Sequence, residues 1–201
     1  MSATAHLAAL RRLGVPAVTT ADVAAVLGLS VTAASQAMRR LAADGLVSAV
    51  RKGLWSLRES PDPMQLLEYV TAPYPAYVSL QSALFVHGMV EQVPSLTFAV
   101  TLGRSARVDT PAGTYSLHHV EPRFFDGYDL LPTGVKLATP EKALVDLFYL
   151  SATRTRFFAS LPEVEVPRSF RRSVARTWVE RIPTPRLREV AGRRLEALFA
   201  R

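Results

Sequence analysis

Residues 19–57 read TTADVAAVLGLSVTAASQAMRRLAADGLVSAVRKGLWSL, and how this stretch folds decides how the rest of the chain is understood. Ser30 suits a helix N-cap, because its hydroxyl accepts a bond from an unpaired first-turn amide, and Gly28 before it permits a tight entry turn. At about 100° per residue, Ala34, Ala37, Met38 and Leu41 share one face of the helix that follows. Thr32, Gln36 and Arg39 fall on the opposite face, flanked by Ser35 and Arg40. One face packs and the other is left to read a partner. Its residue types make paired hydrogen bonds to base edges in the major groove: Arg39 matches guanine, Gln36 adenine, and Thr32 and Ser35 phosphate or a thymine methyl.

A preceding helix, from a Thr19/Thr20 cap through Val23, Ala24 and Leu27, braces the reading helix across the Gly28-Leu29-Ser30 turn. After Asp44-Gly45, the runs 46–49 and 54–57 are short and β-prone, and Val50-Arg51-Lys52-Gly53 joins them. The pattern predicts a two-stranded wing with Arg51 and Lys52 at its tip, in reach of phosphate or the minor groove. Residues 4–13, with Leu7, Leu10 and Leu13 as an apolar stripe, supply a first helix. The expectation for 1–58 is a winged helix-turn-helix that contacts double-stranded DNA through Thr32, Ser35, Gln36, Arg39, Arg40, Arg51 and Lys52.

The charge distribution points the same way. The net charge of +7 is segregated: 1–58 holds seven Lys/Arg and two Asp/Glu, 59–151 five and ten, and 152–201 twelve and five. Basic surface gains polyanion affinity through counterion release, so the two ends are the candidate nucleic-acid surfaces and the acidic middle is not. Hydrophobic residues make up 49% of 201, enough for a real core in each of two domains. The chain has no cysteine, which excludes disulfides, thiolate metal sites and cysteine nucleophiles. No run approaches the ~20 apolar residues of a membrane span and no signal-peptide pattern opens the sequence, so the expected location is the cytoplasm, away from membranes.

Ser60-Pro61-Asp62-Pro63 reads as a linker, with a second domain over 63–201. Helices are expected at 64–70, from a Ser79 cap to Gly88, and from a Thr139 cap to about 150, with Pro140 at the first helical position. Strands are expected at 96–102, as a half-buried strand, and at 114–120 and 135–138. Two Arg-rich amphipathic helices, 169–181 and 185–200, close the chain. The whole is α+β: an N-terminal winged helix-turn-helix, then a mixed α/β domain that ends in basic helices.

Nothing in the sequence assembles an active site. His6, His87, His118 and His119 show no metal-ligand spacing, and the last two are strand neighbours that point to opposite faces. Glu141 and Asp146 stand about 140° apart around a helix, so they form no carboxylate pair, and capping or solvation accounts for them. Glu163-Val164-Glu165 lacks the lysine that a nuclease metal site would use. G-x-S-x-G, P-loop and G-x-G-x-x-G patterns are missing. The expectation is a non-enzymatic protein with no cofactor and no metal.

Two further stretches carry a resemblance. Tyr77-Val78-Ser79-Leu80-Gln81-Ser82-Ala83-Leu84-Phe85-Val86-His87-Gly88 and Ala138-Thr139-Pro140-Glu141-Lys142-Ala143-Leu144-Val145-Asp146-Leu147, with the strand at 96–102 and the winged region, resemble the AbiEi family of bacterial antitoxins over roughly 4–150. The resemblance implies the antitoxin of a type IV toxin-antitoxin pair whose functional partner is a nucleotidyltransferase-like toxin. It further implies autorepression through operator inverted repeats, as a monomer or a dimer on DNA. In type IV systems the antitoxin need not hold the toxin in a stable complex. Two other readings stay open: a plain transcription factor with an effector-binding domain, and a nucleic-acid-processing enzyme targeted by the winged region.

Overall fold

A computed structural model of the chain describes residues 3–152 and 162–200. The fold is mixed α+β and divides into two compact units. One is Met1–Ala72 with Asp109–Gly113, and the other is Pro73–Val108 with Thr114–Arg201.

The first unit runs α1 (Ala3–Arg11), β1 (Ala17–Thr19), α2 (Thr20–Leu27), α3 (Val31–Ala43), β2 (Ser48–Arg51), β3 (Leu54–Ser56) and α4 (Pro63–Thr71). Its sheet has three strands in the order β1-β3-β2, both pairs antiparallel, with an irregularity between Ala49 and Arg51. The expected wing therefore gains a third strand, β1, which at three residues is too short to show a period in the sequence. Leu7, Leu10, Val23, Ala34, Met38, Leu41, Val47, Trp55 and Leu57 meet in one core. Each leucine, valine or methionine buried there stabilises the unit by about 1.5–3 kcal/mol. Leu13, expected on the stripe of α1, is 43% exposed because α1 ends at Arg11. The unit also extends past the expected 58–62 boundary and takes in α4, capped by Asp62, whose carboxylate accepts from Met64 N.

The second unit holds β4 (Ala76–Val78), α5 (Leu80–Val86), β5 (Thr97–Thr101), β6 (Ala106–Thr110), β7 (Gly113–His119), β8 (Tyr128–Leu130), β9 (Lys136–Ala138), α6 (Pro140–Ser151), α7 (Arg172–Glu180) and α8 (Pro185–Phe199). Two of these, β6 and β7, run into the stretch that groups with the first unit. The sheet order is β6-β7-β5-β4-β9-β8, with β5/β7 and β4/β9 parallel and β4/β5 and β8/β9 antiparallel. All five residues of β5 are buried, where a half-buried strand was expected, because β5 is an interior strand between β7 and β4. Helix α6 packs on α5, α7 and α8, and every residue from Glu141 to Leu150 is buried. The first tail helix begins at Arg172 and not at 169, and Phe170 stands outside it with its ring 5.8 Å from that of Phe199. Among the described residues no single helix is long and apolar enough to cross a membrane.

Candidate nucleic-acid interface

Cap chemistry fixes where α2 and α3 begin. Thr19 and Asp22 form a reciprocal capping box at the start of α2, with Asp22 N to Thr19 Oγ1 at 3.1 Å and Thr19 N to Asp22 Oδ2 at 2.8 Å. Gly28 ends α2 in the left-handed region at φ 64°, a conformation that penalises a side chain. Ser30 Oγ accepts from Ala33 N at 3.2 Å and starts α3. The two helices bend by 103° across this short break, within the range of a helix-turn-helix pair.

Burial divides α3 as its spacing implies. Ala34, Met38 and Leu41 are sunk in the unit's core and Ala37, expected on the same face, is half-buried, whereas Thr32, Gln36, Arg39 and Arg40 are exposed and Ser35 is half-buried. Among the described residues, no polar partner engages the side chains of Gln36, Arg39 or Arg40, and no acid lies in the first turn of α3. The face thus presents unpaired donors and cations of the kind that base edges and phosphates accept.

The hairpin is hydrogen-bonded to the start of α2. Trp55 Nε1 donates to Thr20 Oγ1 at 3.0 Å, and Thr20 N donates to Gly53 O at 2.9 Å. Gly53, at φ 77°, lets β2 turn into β3. Lys52 is exposed at this turn with no polar partner among the described residues. Arg51 is placed differently from its neighbour. It is the last residue of β2, and its guanidinium donates to Tyr69 O at 3.1 Å and Val70 O at 3.2 Å, in the last turn of α4. Those carbonyls belong to a helix end that lacks intrahelical donors, so a cation there is favourable. In the same neighbourhood the Tyr69 hydroxyl has its pKa raised, first by burial and then by Asp22 and Glu68.

The Arg-rich tail spends much of its charge inside its own unit. Arg172 and Arg176 pair with Glu196, Arg181 donates to Arg123 O at 3.0 Å, Arg188 to Ile182 O at 2.8 Å, and Arg194 to Phe148 O at 2.9 Å.

A second polar cluster escaped the sequence reading. Lys142 and Asp146, one turn apart on α6, form an ion pair at zero exposure, and Lys142 Nζ also donates to Tyr77 Oη at 2.9 Å. Asp146 Oδ2 accepts from Ser79 Oγ at 2.7 Å and Tyr77 Oη at 3.0 Å. The ammonium lies 3.8 Å from the ring centroid of Phe124, with the Trp178 and Tyr77 rings also near. Burial lowers the Lys142 pKa against the opposing pull of Asp146, and burial followed by Asp146 raises the Tyr77 hydroxyl well above its usual range. Ser79 therefore stands at the N-cap of α5 without capping it by its side chain. Glu141, for which capping or solvation was expected, does stand in the first turn of α6, but it is 3% exposed and accepts from Arg171 N at 2.8 Å. Solvation thus explains neither Glu141 nor Asp146. The available signal was the i, i+4 Lys142–Asp146 spacing, which reports a pair and says nothing of its depth. Closed to solvent, the cluster locks β4, α5 and α6 together.

No protein-family model matches the chain, and no curated protein matches it.

Proposed function

We propose that the chain is a sequence-specific DNA-binding repressor whose first unit works as a winged helix-turn-helix. The observation that carries this reading is the exposed row Thr32, Gln36 and Arg39 on α3, whose opposite side is buried and whose start is set by the capped, left-handed turn after α2. Arg39 and Gln36 read base edges in the major groove, Ser35 and Arg40 meet the flanking backbone, and Lys52 at the hairpin turn takes phosphate or the minor groove. Arg51 braces the hairpin on α4 and adds positive charge beside Lys52.

The biological role we assign is that of a cytoplasmic, non-enzymatic autorepressor and type IV antitoxin that binds inverted repeats upstream of its own gene and counteracts a nucleotidyltransferase-like toxin. The likeness of the 77–88 and 138–147 stretches to AbiEi antitoxins supports that role. A reporter driven by the DNA upstream of the gene should fall when the chain is supplied and recover with Arg39→Ala. Output that the chain leaves unchanged contradicts autorepression. A toxic product of the neighbouring gene whose effect the chain fails to relieve contradicts the antitoxin role.

A further inference from the structure

At the carboxyl ends of the parallel neighbours β5 and β7, where Thr101 stands opposite His119, the second unit opens a pocket of about 300 Å³. Tyr74, Leu102, Gly103, Arg104, Ser105 and His119 line it. This volume lies at the lower end of small-molecule sites.

The pocket is firmly built. Thr101 Oγ1 donates to Pro75 O at 2.9 Å and accepts from Gly103 N at 3.0 Å, which pins the loop that follows β5. Ser105 Oγ accepts from His119 N at 2.9 Å. His119 Nδ1 lies 2.9 Å from Gly103 O. A carbonyl only accepts, so Nδ1 carries the hydrogen and Nε2 is left as the ring's second polar atom. It can donate to a phosphate oxygen as imidazolium or accept a P–OH proton when neutral. Tyr74 is 53% exposed and lies so close to Gly103 that a Cβ there would come 3.0 Å from Tyr74 Cδ2. Arg104 is exposed with no partner among the described residues.

An exposed aromatic ring, with an imidazole and a guanidinium that has no partner among the described residues, matches a ligand with a planar ring at one end and a phosphate at the other. We infer that this pocket binds a nucleoside phosphate, with the base stacked on Tyr74 and the phosphate held by Arg104 and His119 Nε2. The inference does not depend on the DNA-binding reading of the first unit. The same chemistry is offered by a free nucleotide and by the 5′-phosphorylated end of a strand.

Calorimetric titration of the full chain with AMP and CMP, a 5′-phosphorylated dinucleotide, adenosine and inorganic phosphate tests it. A mononucleotide or the phosphorylated dinucleotide should saturate at about 1 mM or below. Adenosine and inorganic phosphate should bind at least about tenfold more weakly, and Tyr74→Ala and Arg104→Ala should each weaken the nucleotide at least about tenfold. Both side chains are exposed, and a thermal melt of each variant checks that its fold is kept. Tighter binding of the mononucleotide assigns a free ligand, and tighter binding of the dinucleotide a strand end; either supports the site. Failure of both to saturate by about 10 mM, affinity unmoved in both variants, or phosphate binding as tightly as nucleotide overturns it.

Discussion

Arg51 Nη2 donates to the carbonyl oxygen of Tyr69 at 3.1 Å, tying the last residue of β2 to the C-terminal turn of α4. The adjacent Lys52 has no such engagement among the described residues, so the two cations of the hairpin are separable by experiment. Lys52→Ala should weaken binding to all DNA sequences alike and reduce the salt slope by about 1, with thermal stability unchanged. Arg51→Ala should weaken binding as well and in addition cost about 1 kcal/mol of stability, because the α4 carbonyls lose their donor. Thermal melts beside salt-titrated binding separate the two, and equal melting temperatures would remove the bracing role of Arg51.

For the exposed face of α3 the proposed DNA-binding role makes a positional prediction. Arg39→Ala should cost about 1–3 kcal/mol on the preferred duplex and relax the choice at one base pair, and Gln36→Ala should relax a different one. Selection from a random duplex pool with each variant measures this. A variant that selects the same consensus as the parent would take that residue out of the recognition set.

Lys142 and Asp146 make a prediction about stability. Removing one member strands the other in the core, so Lys142→Met should cost about 3–5 kcal/mol in denaturant unfolding. Replacing both, as Lys142→Met with Asp146→Leu, should cost less than the sum of the two single changes, because no charge is left unpaired. Strict additivity would show that the pair is not coupled.

His118 supplies a pH dependence. It is 3% exposed, lies beside Ser116 Oγ at 3.0 Å, and burial lowers its pKa from 6.5 to about 4. As pH falls through 6.5 the unfolded chain takes up a proton that the folded chain refuses until about 4, so stability drops across that window. The full shift corresponds to ~3 kcal/mol. Urea midpoints from pH 7 to pH 4 should fall less steeply in His118→Gln than in the parent. Parallel curves would remove His118 as the acid-sensitive group.

Local chemistry was the legible part. Thr19, Ser30 and Thr139 each cap the helix that the sequence places after them, because a cap needs only its own first turn. The division of α3 into buried Ala34, Met38 and Leu41 and exposed Gln36 and Arg39 follows from helical period alone. What depends on distant partners was hidden. Ser79 has the residue type of a cap, yet its hydroxyl goes to Asp146, 67 positions away. The short strands β1, β4 and β8 have three residues each and exist because neighbours complete their ladders. In the candidate interface, Arg51 and Lys52 are neighbours of similar charge, and only tertiary contacts show that one is engaged and the other is not.

The most direct test of the central claim is a salt-titrated footprint of the purified chain on the DNA upstream of its own gene, with random duplex as competitor. The account predicts protection of paired inverted repeats, half-sites one helical turn or a multiple of it apart, lost with Arg39→Ala and weakened steeply by salt. Protection no different from that of the random duplex at every salt concentration would contradict it.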